Sequence, residues 1–257
     1  MDRSFLKEFL EEKYIKYNHP DYISADPIQI PHMFTDPREI EIAAFLTAAI
    51  AWGQRATIIK NALLLIKMME NRPMDFIINA DESDLNHLRD FQHRTFNGAD
   101  TVYFVRSLRN IYSKCGGLKS LFEHHYLTSG SLKEAIIQFR KVFTGHSIQP
   151  RTLKHIADIE KNAAAKRLNL FIRWMVRKDN RGVDFGIWDK IPASSLFIPL
   201  DIHTGNVARK LGLLRRKQND WLAVEELTSR LREFDPDDPV KYDYALFGLG
   251  VFEDFCH

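Results

Sequence analysis

The stretch Lys166-Arg167-Leu168-Asn169-Leu170-Phe171-Ile172-Arg173-Trp174-Met175-Val176-Arg177 decides the class of fold. Leu168, Phe171, Ile172, Met175 and Val176 fall at i, i+3, i+4, i+7 and i+8, the spacing that draws one apolar stripe along an α-helix. At 100° per residue, Lys166, Arg173 and Arg177 gather within about 40° on the other side, with Leu170 and Trp174 beside them. The pattern predicts a helix from about Ile156 to Lys178, with one face toward a core and one basic, aromatic-flanked face.

Helical punctuation continues in both directions. After a loop carrying Gly182, Gly186 and Trp188, Pro199-Leu200-Asp201 opens a helix that Asp201 can cap, in which Val207, Ala208 and Leu211 pack and which Gly212 ends behind Arg209 and Lys210. Further helices are expected at 220–233 and about 240–254. Upstream, residues 144–152 read as a loop and 83–91, 100–113, 117–127 and 131–143 as helices. Asp36-Pro37-Arg38-Glu39 combines a cap, Pro at the first helical position and Glu three residues after the cap. The helix it starts, Ile40 to about Trp52, is broken by Gly53 and resumes from Arg55 to Met69, which predicts two packed helices joined by a Trp52-Gly53-Gln54 turn. Residues 4–17 form an amphipathic helix, followed by a connector from His19 to Pro31. No series of alternating Val, Ile and Thr runs with hairpin turns interrupts this order, so the chain reads as all-α.

Composition narrows the class further. With 257 residues, 45 % of them hydrophobic and 27 % charged, the chain can bury a sizeable core and is not a disordered or low-complexity sequence. Two cysteines, Cys115 and Cys256, cannot build a disulfide framework or a cysteine-ligated metal centre, which points to a reducing cytoplasm. The first residues are charged and carry no apolar signal region. The most apolar run, Ala43 to Trp52, is about half the roughly 20 residues of a membrane span, so no membrane association is expected. The formal net charge of +2 conceals an asymmetry: residues 161–217 hold 13 Lys or Arg and four Asp. A basic segment in an otherwise acidic chain is an electrostatic footprint for a polyanion such as nucleic acid, or simply a solvated face.

Three segments taken in order resemble the helix-hairpin-helix DNA glycosylase superfamily. Asp36-Pro37 through Ala43-Ala44-Phe45-Leu46-Thr47-Ala48 to Asn61-Ala62 is similar to its early helix pair. Ile198-Pro199-Leu200-Asp201-Ile202-His203, running into Val207-Ala208-Arg209-Lys210-Leu211-Gly212, resembles its catalytic-aspartate segment. Tyr244-Ala245-Leu246-Phe247-Gly248-Leu249-Gly250 is similar to the closing helix of the adenine-glycosylase branch. The Leu-Pro-Gly-x-Gly hairpin with its lysine is absent, and Val183 occupies the corresponding spacing. Lys166-Arg167-Leu168 leading into Phe171-Ile172-Arg173-Trp174-Met175 instead resembles the archaeal 8-oxoguanine glycosylase branch, whose lysine stands roughly 30 residues before an Ile-Pro-x-Asp segment; Lys166 stands 35 before Asp201. The four-cysteine cluster of endonuclease-III-like members is missing. The chain also resembles a bacterial family of unassigned function that shares the Lys-Arg-Leu-Asn and Pro-Leu-Asp pattern.

The resemblance implies one glycosylase-like unit of two helical lobes flanking a cleft, with the hairpin degenerate or absent. The central lobe would span about 36–160, and the second 1–35 with 161–257. It implies base-excision repair on a flipped-out damaged base of double-stranded DNA, in the cytoplasm at the nucleoid, by a monomer needing no cofactor. Asp201 would stabilise positive charge at C1′ of the sugar, and Lys166 would be the amine nucleophile that adds strand cleavage, with Lys161 in reserve. Read from spacing alone, Asp201 also serves as a plain helix cap and Lys166 as a phosphate contact, and these readings stay open. Gln54, Arg55, Arg167, Arg173, Arg177, His203, Arg209, Lys210, Arg215, Arg216 and Lys217 are expected at the DNA. Trp52, Trp174 and Trp188 are candidates to stack on the extruded base or fill the gap it leaves. His124-His125 and the Asp201–His203 pair lack a third ligand at suitable spacing, so no metal is expected. The competing reading is a non-catalytic nucleic-acid-binding protein built on a degenerate glycosylase fold.

Overall fold

The computed structural model describes residues 2–145, 149–253 and 255. Helices dominate it: α1 (Arg3–Tyr17), α2 (Pro37–Ala49), α3 (Arg55–Met68), α4 (Pro73–Asn79), α5 (Glu82–His87), α6 (Gly98–Cys115), α7 (Leu118–Ser129), α8 (Leu132–Phe143), α9 (Lys166–Val176), α10 (Ile202–Lys210), α11 (Trp221–Arg232) and α12 (Tyr242–Phe252). The all-α reading holds, with one addition: β1 (Gln92–His93) and β2 (Phe96–Asn97) form a short antiparallel hairpin between α5 and α6. Two-residue strands are too short for alternation to register in a sequence. Of the expected 144–152 loop, residues 146–148 lie outside the described residues, as do Asp254 and Cys256. No helix of the described residues is long and apolar enough to cross a membrane. The chain divides into two compact units, Ala25–Ala157 and Met1–Ser24 with Asp158–His257.

In the Ala25–Ala157 unit, Asp36 caps α2 by accepting the Arg38 N–H at 2.8 Å, with Pro37 at the first helical position. Glu39 does not close a capping box; its carboxylate accepts the Met74 N–H at 2.8 Å, holding the start of α4. That seven-residue helix was not expected, because Glu70 and Asn71 end α3 in left-handed conformations and Pro73 restarts the helix within one turn. Two capping boxes, Asp81 with Asp84 and Asn97 with Asp100, start α5 and α6. The core is aromatic: Phe45 of α2 lies 5.9, 5.7 and 5.5 Å from the rings of Phe104, Phe139 and Phe143. Glu41 is buried in α2, yet its carboxylate accepts the Tyr112 hydroxyl and the Leu118 and Lys119 N–H groups at 3.0 and 2.9 Å, so α2 supplies the N-terminal cap of α7.

In the other unit, α12 is the central element, packing against α1 and α10. Gly248 permits the α1 contact, since a Cβ there would meet the Tyr17 ring at 2.1 Å. Helix α9 begins at Lys166, not near Ile156. Asn162 and Ala165 both take left-handed conformations, and the backbone between them bridges to Asp220 at the start of α11. Asn162 completes this by donating to Asp220 at 2.9 Å and accepting the Leu222 N–H at 3.2 Å. These pairings replace the intrahelical bonds that a longer helix would make.

The basic face of α9 is not a solvent face. Arg173 and Arg177 are 4 % and 0 % exposed. Arg173 pairs with Asp184 at 3.3 Å and with Asp243 of α12. Arg177 pairs with Asp179, Asp184 and Asp238 at 2.7, 3.0 and 2.9 Å and donates to the Tyr14 hydroxyl of α1 at 2.9 Å. Trp174 and Trp188 are each 1 % exposed, and Trp188 packs edge-on against Phe171. The expectation that these four residues meet DNA is therefore corrected. A buried guanidinium must be neutralised, and the carboxylates that do so arrive from loops and from another helix. Arg177→Ala strands those carboxylates, and we expect it to cost about 3–5 kcal/mol of stability, read from the urea midpoint.

Candidate functional site

Lys166 is the first residue of α9, and Asp201 is the N-cap of α10. Although 35 positions apart in sequence, their side chains meet: Lys166 Nζ lies 3.4 Å from Asp201 Oδ2. The two carboxylate oxygens have different tasks. Oδ1 accepts the Thr204 N–H at 2.9 Å and caps the helix, while Oδ2 faces the amine. The lysine side chain is 31 % exposed and the aspartate 15 %, so the pair is reachable from solvent on ground that the helix start fixes.

Asn219 braces this corner. It donates to the Asp201 carbonyl at 3.0 Å and accepts from Arg209 at 2.6 Å, and Arg209 also donates to the Arg216 carbonyl at 2.8 Å. Gly205 makes room for the brace, because a Cβ there would meet Asn219 Oδ1 at 2.8 Å. Arg216 pairs with Asp220 at 2.5 Å, which in turn is held down to a pKa of about 2, chiefly by that hydrogen bond. Arg209 and Arg216, expected at DNA, thus hold the frame. Arg167 is half-buried, and burial lowers its guanidinium below the ordinary value. His203, Lys210, Arg215 and Lys217 are exposed, as is the large apolar Ile202 directly after Asp201.

Residues that the sequence did not single out complete the surroundings. Asp243 is buried, 5 % exposed, at the start of α12. Burial pushes its carboxyl up to about 7; Arg173 opposes this, Asp201 adds to it and Lys166 opposes it, so its charge is coupled to both members of the pair. Asn169 stands one turn from Lys166 on α9, and Thr204 one turn from Asp201 on α10. Asn169 Oδ1, Thr204 Oγ1 and Asp243 Oδ1 are buried and find no hydrogen-bond partner among the described residues. Lys161, the reserve nucleophile, is exposed and lies 3.9 Å from Asp158. Among the described residues no cluster of three or more His, Cys, Asp or Glu could hold a metal ion.

In the Ala25–Ala157 unit the Trp52-Gly53-Gln54 turn joins α2 to α3 as expected, with Gly53 at φ 105°. Trp52 is half-buried, edge-on to His93 at 4.9 Å and stacked on His155 at 5.8 Å. That packing fixes the indole as part of the frame, and Gln54 is the side chain the turn presents to solvent, with Arg55 half-buried behind it.

Residues 26–252 match the family described as "Protein of unknown function (DUF2400)". No curated protein and no solved structure matches the chain.

The Asp243 carboxyl gives the unit a pH dependence with a definite sign. Its folded value of about 7 lies above the ordinary 3.8, so the folded state binds the proton more tightly than the unfolded state. The stability this contributes is full below about 3.8 and is lost as pH rises through about 7. Relative to Asp243→Asn, the native protein is expected to lose up to about 1.4 kcal/mol per pH unit in that window and to level off above it. Urea titrations of both proteins across that range measure the difference.

Proposed function

The chain belongs to the DUF2400 family, and we propose that it is a DNA glycosylase with lyase activity, acting through Lys166 and Asp201 on a flipped-out damaged base. The observation that carries this reading is the 3.4 Å approach of an amine and a carboxylate, each set at a helix N-terminus and each still reachable from solvent. It is supported by the resemblance of both segments to a family that uses this pair of groups. The partnerless buried atoms of Asn169 and Thr204, each one helical turn from a member of the pair, and of Asp243 fit it too, since such atoms in a native structure call for an explanation, and a bound polar ligand is one.

The chemistry follows from the two groups. As the bond from C1′ to the base breaks, the base leaves with the electron pair and positive charge develops on the sugar; the Asp201 carboxylate faces that charge. The Lys166 amine, having passed a proton to Asp201, forms the new bond to C1′. Opening of the sugar ring gives an imine, from which loss of a proton at C2′ expels the 3′ phosphate and cuts the strand. The exposed side chains of His203, Arg215 and Lys217, with Lys210, whose amine also donates to the Phe255 carbonyl at 2.6 Å, are placed to contact phosphates in this unit.

Borohydride trapping on a duplex with an abasic site tests this without knowledge of the base. The wild type is expected to form a covalent adduct, Lys166→Gln to form none, and Asp201→Asn to form it at least about a hundredfold more slowly, the range of a missing general base. A wild-type protein that binds the duplex but leaves no adduct contradicts the lyase step, and undiminished trapping by Lys166→Gln contradicts the assignment of the nucleophile.

A further inference from the structure

Of the 13 cations in residues 161–217, Arg173, Arg177 and Arg216 are neutralised by carboxylates of their own unit. The Ala25–Ala157 unit distributes its charge differently. Its composition is nearly balanced, with 16 Lys or Arg against 13 Asp or Glu, yet residues 50–61, 92–97 and 149–156 hold five of the cations and none of the acids. Side-chain and backbone bonds tie these three segments into one surface. His93 of β1 bonds the Trp52 carbonyl at 3.1 Å and sits 2.9 Å from Asn61 Nδ2 of α3. Trp52 and Phe96 both pack on His155. Arg151 donates to the Thr95 carbonyl at 3.0 Å and to Asn97 at 2.9 Å, and its charge is answered by buried Asp100 at 3.0 Å, which makes it part of the frame.

Arg55 is half-buried, and the other three cations of this surface, Arg94, Lys60 and Lys154, are presented outward. Arg94 forms the tip of the β1–β2 hairpin at φ 55°, a left-handed conformation that an arginine rarely adopts. It is exposed, and its guanidinium lies over the Trp52–Gln54 turn: a Cβ on Gly53 would meet Arg94 Nη1 at 2.7 Å. Lys60 on α3 and Lys154 are exposed as well. Among the described residues Arg94, Lys60 and Lys154 form no ion pair and no hydrogen bond through their side chains. A rigid aromatic frame that carries cations on three separate segments, with no carboxylate among them, matches a ligand with repeated negative charge more closely than a single small anion.

We propose that the hairpin 92–97, the turn 52–55 and the segment 149–156 form a surface that grips the sugar-phosphate backbone of duplex DNA, with Arg94, Lys154 and Lys60 as phosphate contacts. The choice of DNA rests on the glycosylase reading; the surface itself rests on the geometry of this unit. It supplies affinity and salt dependence and carries no damage specificity.

The test is fluorescence anisotropy of the full-length chain with a labelled undamaged duplex over a range of salt concentrations. Arg94→Asn removes the charge while keeping a residue that tolerates the left-handed conformation, and Lys154→Gln removes a second charge from a different segment. Lys7→Gln, an exposed position on α1, is the control. The double variant is expected to bind at least several-fold more weakly at low salt. Its log Kd against log salt slope is expected to fall by about 0.9 for each phosphate that the protein no longer neutralises. Its Tm is expected to stay that of the wild type, and Lys7→Gln is expected to leave affinity, slope and borohydride trapping unchanged. If Arg94→Asn lowers Tm, Lys154→Gln and Lys60→Gln carry the test, each expected to reduce the slope by about 0.9. Wild-type affinity and slope in the double variant, or weaker binding with an unchanged slope, would overturn the surface while leaving the DNA reading intact. A wild type with no salt-dependent affinity for duplex DNA overturns both.

Discussion

A guanidinium with no solvent exposure is the constraint around which the unit built from Met1–Ser24 and Asp158–His257 is organised. Arg177 cannot be left unpaired in an apolar interior, and its neighbours come from everywhere except α9 itself: the 179–184 loop, the approach to α12 and the tyrosine of α1. With Arg173 it faces four aspartates, an excess of negative charge. Burial raises the Asp238 and Asp243 carboxyls above their ordinary value, and the guanidinium beside each opposes that rise. Helix α9 is thus clamped by its polar face as firmly as by its apolar stripe. Lys166, at the first position of that helix, inherits a fixed place.

The second anchor of the pair is fixed by different means. Asp201 uses one oxygen and its own carbonyl to hold the start of α10, and Asn219 ties that carbonyl to Arg209. One residue therefore ends a loop, starts a helix and presents a carboxylate oxygen to an amine. A group locked by capping loses little freedom when a ligand arrives, which is how a short polar side chain near the surface can be held in register with a partner on another helix.

Legibility in the sequence tracked the range of the interaction responsible. Caps such as Asp36, Ser131, Asp201 and Asp220 are local, and the helices they start stand where the residues placed them. The start of α9 differs from the periodicity's placement because Asn162 is bonded to Asp220 and Leu222, 58 and 60 positions away, and Ala165 also turns left-handed before the helix begins. Arg173 and Arg177 looked like a solvent face because their carboxylate partners are invisible to a periodicity count, Asp243 lying 70 positions from Arg173. Lys166 and Asp201 were singled out by resemblance, and their approach to each other is a product of the fold. Asn219, Asp243, Asn169 and Thr204 carry no spacing signal that could have marked them. Net charge misled in both directions, since Arg173 and Arg177 of the most basic segment are buried among aspartates while Arg94 of the β1–β2 hairpin stands exposed in a stretch of ordinary composition.

The packing of α1 on α12 has a consequence for the order of events during synthesis. One unit is continuous, Ala25–Ala157, and all its partners are present once residue 157 has been made. The other is closed by the first helix meeting the last, with a whole unit inserted between them. Pairings of such long sequence separation form late, because the loop they close must first be paid for in entropy. Until residues 242–252 emerge, α1 lacks its principal partner and Arg173 lacks Asp243. A ribosome that stalls late therefore releases a chain with one folded unit and one open one, and such half-assembled chains are where proteases and chaperones find their substrates.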